Sequence, residues 1–190
     1  HTQKAAAEAG AEQLVLALDD LEANKAADAK AKLEQVAAGT GGTAILAQLT
    51  QAGELLGQGK ANEAAKLYAT VAQNTQAPQP LRDLATVREI AATFDTLPAK
   101  TVIERLSPLA QPGNPWFGVA GEMVGVAYLK DGNEKQAGPL FVKIANDKTQ
   151  PDALRSRVRQ LAGQIGFDAL DDVVTASGED GAPDAGTVGE

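Results

Sequence analysis

One spacing constrains this chain more than any other feature. Ala29, Ala64, Val102 and Ala137 lie 35, 38 and 35 residues apart, and similar residues recur at matching offsets around them. The stretch from Gly118 to Pro151 shows the pattern best: Gly125, Tyr128, Gly132, Ala137, Phe141 and Ile144. Counted from Ile45, the same places hold Ala52, Leu55, Gly59, Ala64, Tyr68 and Val71. From Gly10, a degenerate copy keeps Ala17, Asn24, Ala29, Leu33 and Val36. From Asp83, another keeps Ile90 and Phe94, then Val102, Leu106 and Leu109. A period of this size marks stacked repeats.

Each repeat reads as two antiparallel helices. Apolar residues recur at helical spacing, as in Leu14, Leu18 and Leu21, or Leu46, Leu49, Leu55 and Leu56, and nowhere with strand alternation. Small residues at facing positions let two backbones approach, and larger ones fill the space left. Gly59, Gly132 or Asn24 can take the left-handed conformation that ends a first helix. One hairpin cannot bury its own apolar face, so neighbours must stack.

Gly39 to Gly42, Pro78 to Pro80 and Pro112 to Pro115 read as breaks between helices. Asn114 is expected to cap the helix that follows, with Pro115 in its first position. The expected fold is all-α: a tetratricopeptide-like solenoid of about four helical hairpins plus a C-terminal capping helix. That last helix should run from roughly Asp152 to Phe167. Leu154, Val158, Leu161 and Ile165 would cover the fourth hairpin, leaving Arg155, Arg157 and Arg159 toward solvent.

Charge divides the chain in two. Formal net charge is −8, yet seven of the 25 acidic residues follow the last basic one, Arg159. The 17 basic residues therefore face 18 acidic ones in the rest, and no basic face of the nucleic-acid-binding kind is evident. The expectation is a repeat domain over 3–167 and an acidic, disordered tail over 168–190.

Chemistry-bearing residues are sparse. Cys is absent, which removes disulfides, thiolate catalysis and the commonest zinc sites. The one His is His1. Gly57-Gln58-Gly59-Lys60 lacks the spacing of a phosphate loop and falls where a helix–helix turn is needed. Glu63 and Lys66 sit at the spacing of a solvated helix face. Nothing here assembles a nucleophile with a base, so the reading is no enzyme, no cofactor and no metal. Trp116 and Phe117 are either an exposed anchor or a plug between the third and fourth repeats, and the plug is the reading adopted.

The stretches PQPLRDLATVREIAATFDTL and VIERLSPLAQPGNPWFGVAGEMVGVAYLKDG add a resemblance. With RDLA at 82–85 and PGNPWFG at 112–118, they are similar to bacterial membrane-anchored tetratricopeptide-like proteins, the family of the ancillary subunit of the Sec translocon. The similarity spans most of Ala11 to Gly166. It implies a periplasmic domain at the inner membrane, held by a single-pass anchor. No helix-length apolar run occurs in these residues and the chain starts without Met, so that anchor is expected to have preceded His1.

The resemblance further implies partners among translocon subunits, periplasmic chaperones or secretory chains, and brings no catalytic residues. In such repeats the first helices line a concave groove, here through Leu46, Leu49, Leu56, Leu84, Val87, Phe94, Val119 and Val126. The expected function is a protein-binding scaffold taking apolar segments in that groove. The alternative is a homo-oligomeric or assembly scaffold of the cell envelope.

Overall fold

The computed structural model describes residues 2–168. His1, and the expected tail beyond Asp168, lie outside them. Among the described residues the chain forms nine α-helices and no strand: α1 (Thr2–Glu22), α2 (Ala26–Ala37), α3 (Gly42–Gly57), α4 (Ala61–Gln73), α5 (Gln79–Thr93), α6 (Ala99–Leu106), α7 (Phe117–Lys130), α8 (Glu134–Asn146) and α9 (Asp152–Gln164). Each packs on its neighbours along the chain, the arrangement of a helical repeat. No described helix is long and apolar enough to cross a membrane.

The core comes in four successive pieces. Leu14, Ala17, Leu33, Val36 and Ala47 join α1, α2 and α3. Ile45, Ala52, Ala64, Tyr68, Val71, Ala77 and Ala85 join α3, α4 and α5. Val87, Ile90, Val102, Leu106 and Val124 belong to the piece between α5, α6 and α7. Phe117, Ala137, Phe141, Ile144, Leu154 and Val158 belong to the piece between α7, α8 and α9. Helices α3, α5 and α7 are thus each buried on two sides. Such a helix must be thin, and α7 is: Gly118, Gly121 and Gly125 are all buried in it.

The expected turn residues take their roles. Asn24, Gly59 and Gly132 have φ of 57°, 75° and 71°. After each, the next amide reaches back to the helix: Lys25 to the Asp20 carbonyl (2.7 Å), Lys60 to Leu55 (2.9 Å) and Asn133 to Tyr128 (2.8 Å). These are helix ends closed by a left-handed residue, satisfying carbonyls the helix leaves over.

A longer internal likeness was not read from the sequence. The segment α3–α4–α5 recurs as α7–α8–α9, displaced by 73 residues. Ala52 and Gly125, Tyr68 and Phe141, Asn74 and Asp147, and Pro78 and Pro151 hold the same places. Asn74 and Asp147 both end a helix at ψ 101°. Pro78 and Pro151 both precede one at ψ 140°. Arg82 Nε donates to the Ala72 carbonyl (3.3 Å), and Arg155 Nε to Ala145 (3.0 Å). Each arginine supplies a donor to the last turn of the preceding helix, which has none of its own there. The trace in sequence is Pro-x-x-Leu-Arg at Pro78 and at Pro151.

Three local expectations are corrected. Helix α5 begins at Gln79, four residues ahead of the Asp83 start, because Pro80 is tolerated in a first turn where no amide bond is needed. Asn114 does not cap α7. Its Oδ1 accepts from the Trp116 amide (2.8 Å) in a turn, and the helix starts at Phe117. The three arginines of α9 do not simply face water: Arg155 and Arg159 both reach the Ala145 carbonyl, and Arg157 pairs with Glu122.

Two glycines give opposite expectations. A Cβ on Gly125 would lie 2.3 Å from Phe141 Cε1, whereas one on Gly163 in α9 meets nothing within 4 Å. We expect Gly125→Leu to cost about 1–3 kcal/mol through overpacking. Gly163→Ala should add about 0.5 kcal/mol by restricting the unfolded chain. Thermal melts followed by circular dichroism check both, at roughly 2–4 °C per kcal/mol for this chain length.

Candidate functional site

A helix in such a row shows water whatever face its neighbours leave uncovered. Five large apolar side chains are exposed among the described residues: Val15 (56%), Leu16 (40%), Leu18 (41%), Leu46 (44%) and Val119 (47%). All five sit on α1, α3 and α7, the first helices of the hairpin-like pairs. Leu46 and Val119 are equivalent positions, 73 residues apart.

The eight residues read as a groove fall into three groups. Leu46 and Val119 are exposed. Leu49, Leu56, Leu84, Phe94 and Val126 are half-buried. Leu49 and Leu56 lean on the α3–α5 core and Val126 on the α7–α9 core, each with part of its surface still open. The Phe94 ring is covered on one side by Lys130, whose Nζ stands 4.2 Å from the ring centroid. Val87 is 2% exposed. It lies one helical turn from Ile90 on the stripe facing α6 and α7, so it offers a partner no surface.

Trp116 and Phe117 split between two cores. Phe117 is 1% exposed and belongs to the α7–α9 piece, and Trp116 packs against the α5–α7 piece. Together they fill the junction.

Polar ties hold the same helices in place. Arg105 Nη1 and Nη2 each donate to a Glu89 oxygen at 2.6 Å, joining α6 to α5, and this pairing raises the Arg105 pKa. Lys32 pairs with Asp20 between α2 and α1. Arg157 donates through Nη2 to Glu122 Oε2 at 2.7 Å and through Nε to Oε1, tying α9 to α7. That pairing raises the Arg157 pKa. Arg157 thus reaches Glu122 from α9, the helix expected only to cap the row.

Beside this pair lies a recess of about 650 Å³, reached by Val119, Leu154, Ala153 and Arg157 and edged by Asp147 and Gln150. A second trough, about 490 Å³, runs between α2, α3 and α4. It sets Lys30, Lys60, Glu34, Glu54 and Glu63 around Leu33 and Leu55. Among the described residues, no three His, Cys, Asp or Glu converge as a metal site would require.

The exposed patch on α1 escaped the sequence reading, which took Leu18 only as part of an apolar stripe with Leu14 and Leu21. The signal was there. Residues 14–18 read Leu-Val-Leu-Ala-Leu, and five consecutive apolar residues go more than once around a helix of 3.6 residues per turn. They cannot all face one neighbour.

No family model, no curated protein and no solved structure matches this chain.

Asp147 at the rim carries a testable electrostatic prediction. Its carboxylate accepts from the Thr149 hydroxyl (2.6 Å), the Gln150 amide (3.0 Å) and the Thr149 backbone N–H (3.0 Å). These bonds, led by the Thr149 hydroxyl, hold its pKa below the ordinary 3.8. A depressed carboxylate pKa stabilises the fold above the unfolded value, and that contribution fades as pH falls through the folded one. We expect Asp147→Ala to melt below the parent protein at pH 7, with the gap narrowing under pH 3.8. Melting curves across pH 2–7, a range chosen to bracket that group, decide it.

Proposed function

We propose that this protein is a binding scaffold of the tetratricopeptide type, which receives apolar segments of partner proteins along the face formed by its first helices. One observation carries the reading. The exposed large apolar side chains of the described residues lie on α1, α3 and α7 and on none of the second helices. A surface exposed by chance would distribute such residues over both kinds of helix. Apolar area left in water on one kind only is surface awaiting cover. The period near 35 and the repeated left-handed turns support the tetratricopeptide assignment.

The partner lies in the cell envelope on this proposal, with the Sec translocon, periplasmic chaperones or secretory chains as the candidates. What supports it is the resemblance carried by PGNPWFG and RDLA. Chemistry at the site would be burial of apolar side chains, at roughly 25 cal/mol per Å² removed from water, with no covalent step.

A second reading, self-association, is favoured by α1 alone. Val15 and Leu16 correspond to Met123 and Val124 of α7, counted from the turn residues Asn24 and Gly132. Val124 is buried, and Met123 packs against the piece that α6 builds with α7. The corresponding residues of α1 have no such cover.

Site-specific photo-crosslinking in cells separates these readings. A probe at Leu46 or Val119 should capture translocon subunits, chaperones or secretory chains, and probes at Lys66 of α4 and Lys135 of α8 should not. Capture of the protein itself through Val15, with nothing at Leu46 or Val119, would move the function to homo-oligomeric assembly. Equal capture from Leu46, Val119, Lys66 and Lys135 would sink the face-specific reading.

A further inference from the structure

The two ends of the row are finished differently. Helix α9 leaves no large apolar side chain exposed, as a capping helix should. Helix α1, at the other end, exposes Val15, Leu16 and Leu18. Counted from the turn residues Asn24 and Gly132, three places on α1 answer to the side of α7 that α6 covers. On α7 they hold Ala120, Val124 and Ala127, all buried in the piece that includes Val102 and Leu106 of α6. On α1 they hold Glu12, Leu16 and Asp19, all exposed.

This exchange limits what can lie there. A helix like α6 would set Val102 and Leu106 against two carboxylates and strip them of water without replacing its hydrogen bonds. Nor do the carboxylates have partners of their own. Among the described residues the ion pairs of α1 are Lys4 with Glu8, at 3.7 Å, and Lys32 with Asp20. Glu12, Asp19 and Glu22 make none among those residues. Helix α1 holds five acidic residues and one basic one, Lys4. The surface is therefore an apolar centre at Val15 and Leu16, with an unpaired carboxylate one helical turn to either side. A second copy of α1 would set like charge against like, and an anionic lipid surface would do the same.

We propose that this end of the row docks an amphipathic helix of another protein, its apolar stripe on Val15 and Leu16 and its Lys or Arg side chains on Glu12 and Asp19. The visitor takes the place on α1 that α6 takes on α7. Charge complementarity and exposed apolar area select it together. Long basic side chains lay their stems along apolar surface while their charged heads reach outward. On a helix crossing Leu16, such heads fall beside the two carboxylates, and the uncovered Val15 and Leu16 leave water. This surface is the end of the row, apart from the side that carries Leu46 and Val119, and its docking is independent of theirs.

Three synthetic peptides of about 16 residues, long enough for four helical turns, provide the test. Each carries one leucine stripe at helical spacing, flanked by Lys, by Gln or by Glu. Binding to the purified chain is read by fluorescence anisotropy, and the Lys peptide should bind tightest and the Glu peptide weakest. Glu12→Gln/Asp19→Asn should weaken the Lys peptide about tenfold, the combined worth of two exposed ion pairs. Glu104→Gln/Glu134→Gln, which removes two exposed carboxylates from α6 and α8, should leave it unchanged. Equal losses in both variants would reduce the binding to general attraction by an acidic chain and overturn the proposal. A Gln peptide that binds the parent as tightly as the Lys peptide, or no binding at all, would overturn it too. Should the α1 variant misfold, a benzophenone on the leucine stripe of the Lys peptide gives the answer on the parent chain. Attachment should map to α1 around Val15 and Leu16, and attachment elsewhere counts against docking at this end. A mass that rises with concentration in the parent, but not in Leu16→Ser, would give the end to a second copy and overturn the proposal. Every one of these failures leaves Leu46 and Val119 standing as candidate contacts.

Discussion

Close approach of paired helices is the condition on which everything else in this chain depends. Ala17, Ala52 and Gly125 on first helices, with Ala29, Ala64 and Ala137 on second ones, are all buried. The gap closes far enough for Phe141 to lie against the backbone of α7 at Gly125. The balance of terms explains why glycine is kept there. A glycine inside a helix costs about 0.5–1 kcal/mol against alanine. Burying one large apolar side chain stabilises by roughly 1.5–3 kcal/mol. Phe141 and Ile144, both fully buried beside α7, outweigh the weakness of a helix with three buried glycines. Helix α7 is therefore held by its neighbours more than by its own propensity.

The joints between pairs are polar where the cores are apolar. Arg82 and Arg155 each bind a carbonyl near the end of the preceding helix. Such bonds add about 1 kcal/mol apiece, less than the apolar clusters supply. Their value is directional. A hydrogen bond from a guanidinium to one carbonyl sets an angle that a patch of leucines would leave loose. The α6–α7 connection has no such arginine and uses Trp116 and Phe117 as a wedge between two cores. Geometry set by donors at two joints and by aromatic bulk at a third gives the row its order.

What could be read from sequence was whatever depends on one residue having one property. Asn24, Gly59 and Gly132 were legible because a left-handed turn narrows the choice of residue. Ala64, Ala137, Tyr68 and Phe141 were legible because size alone decides them. Legibility failed where angle decides. A one-residue slip turns a side chain by about 100° around the helix axis. Val87 was therefore placed on the surface although it packs beside Ile90. The arginines of α9 were read as solvated because the carbonyl at Ala145 and the carboxylate of Glu122 come from other helices. The candidate site was half visible in the same way. Leu46 and Val119 stood out as apolar residues of a repeat, but their exposure and the ion pair beside Val119 needed three dimensions.

Packing that passes only along the row has a mechanical consequence. Each core piece ties three successive helices, and none of the four reaches from α1 to α9. Small rotations at successive joints therefore add along the row without breaking any single cluster. A ligand gripping α3 and α7 at once would shift the helices between them. Its grip at one end would then change the shape offered at the other.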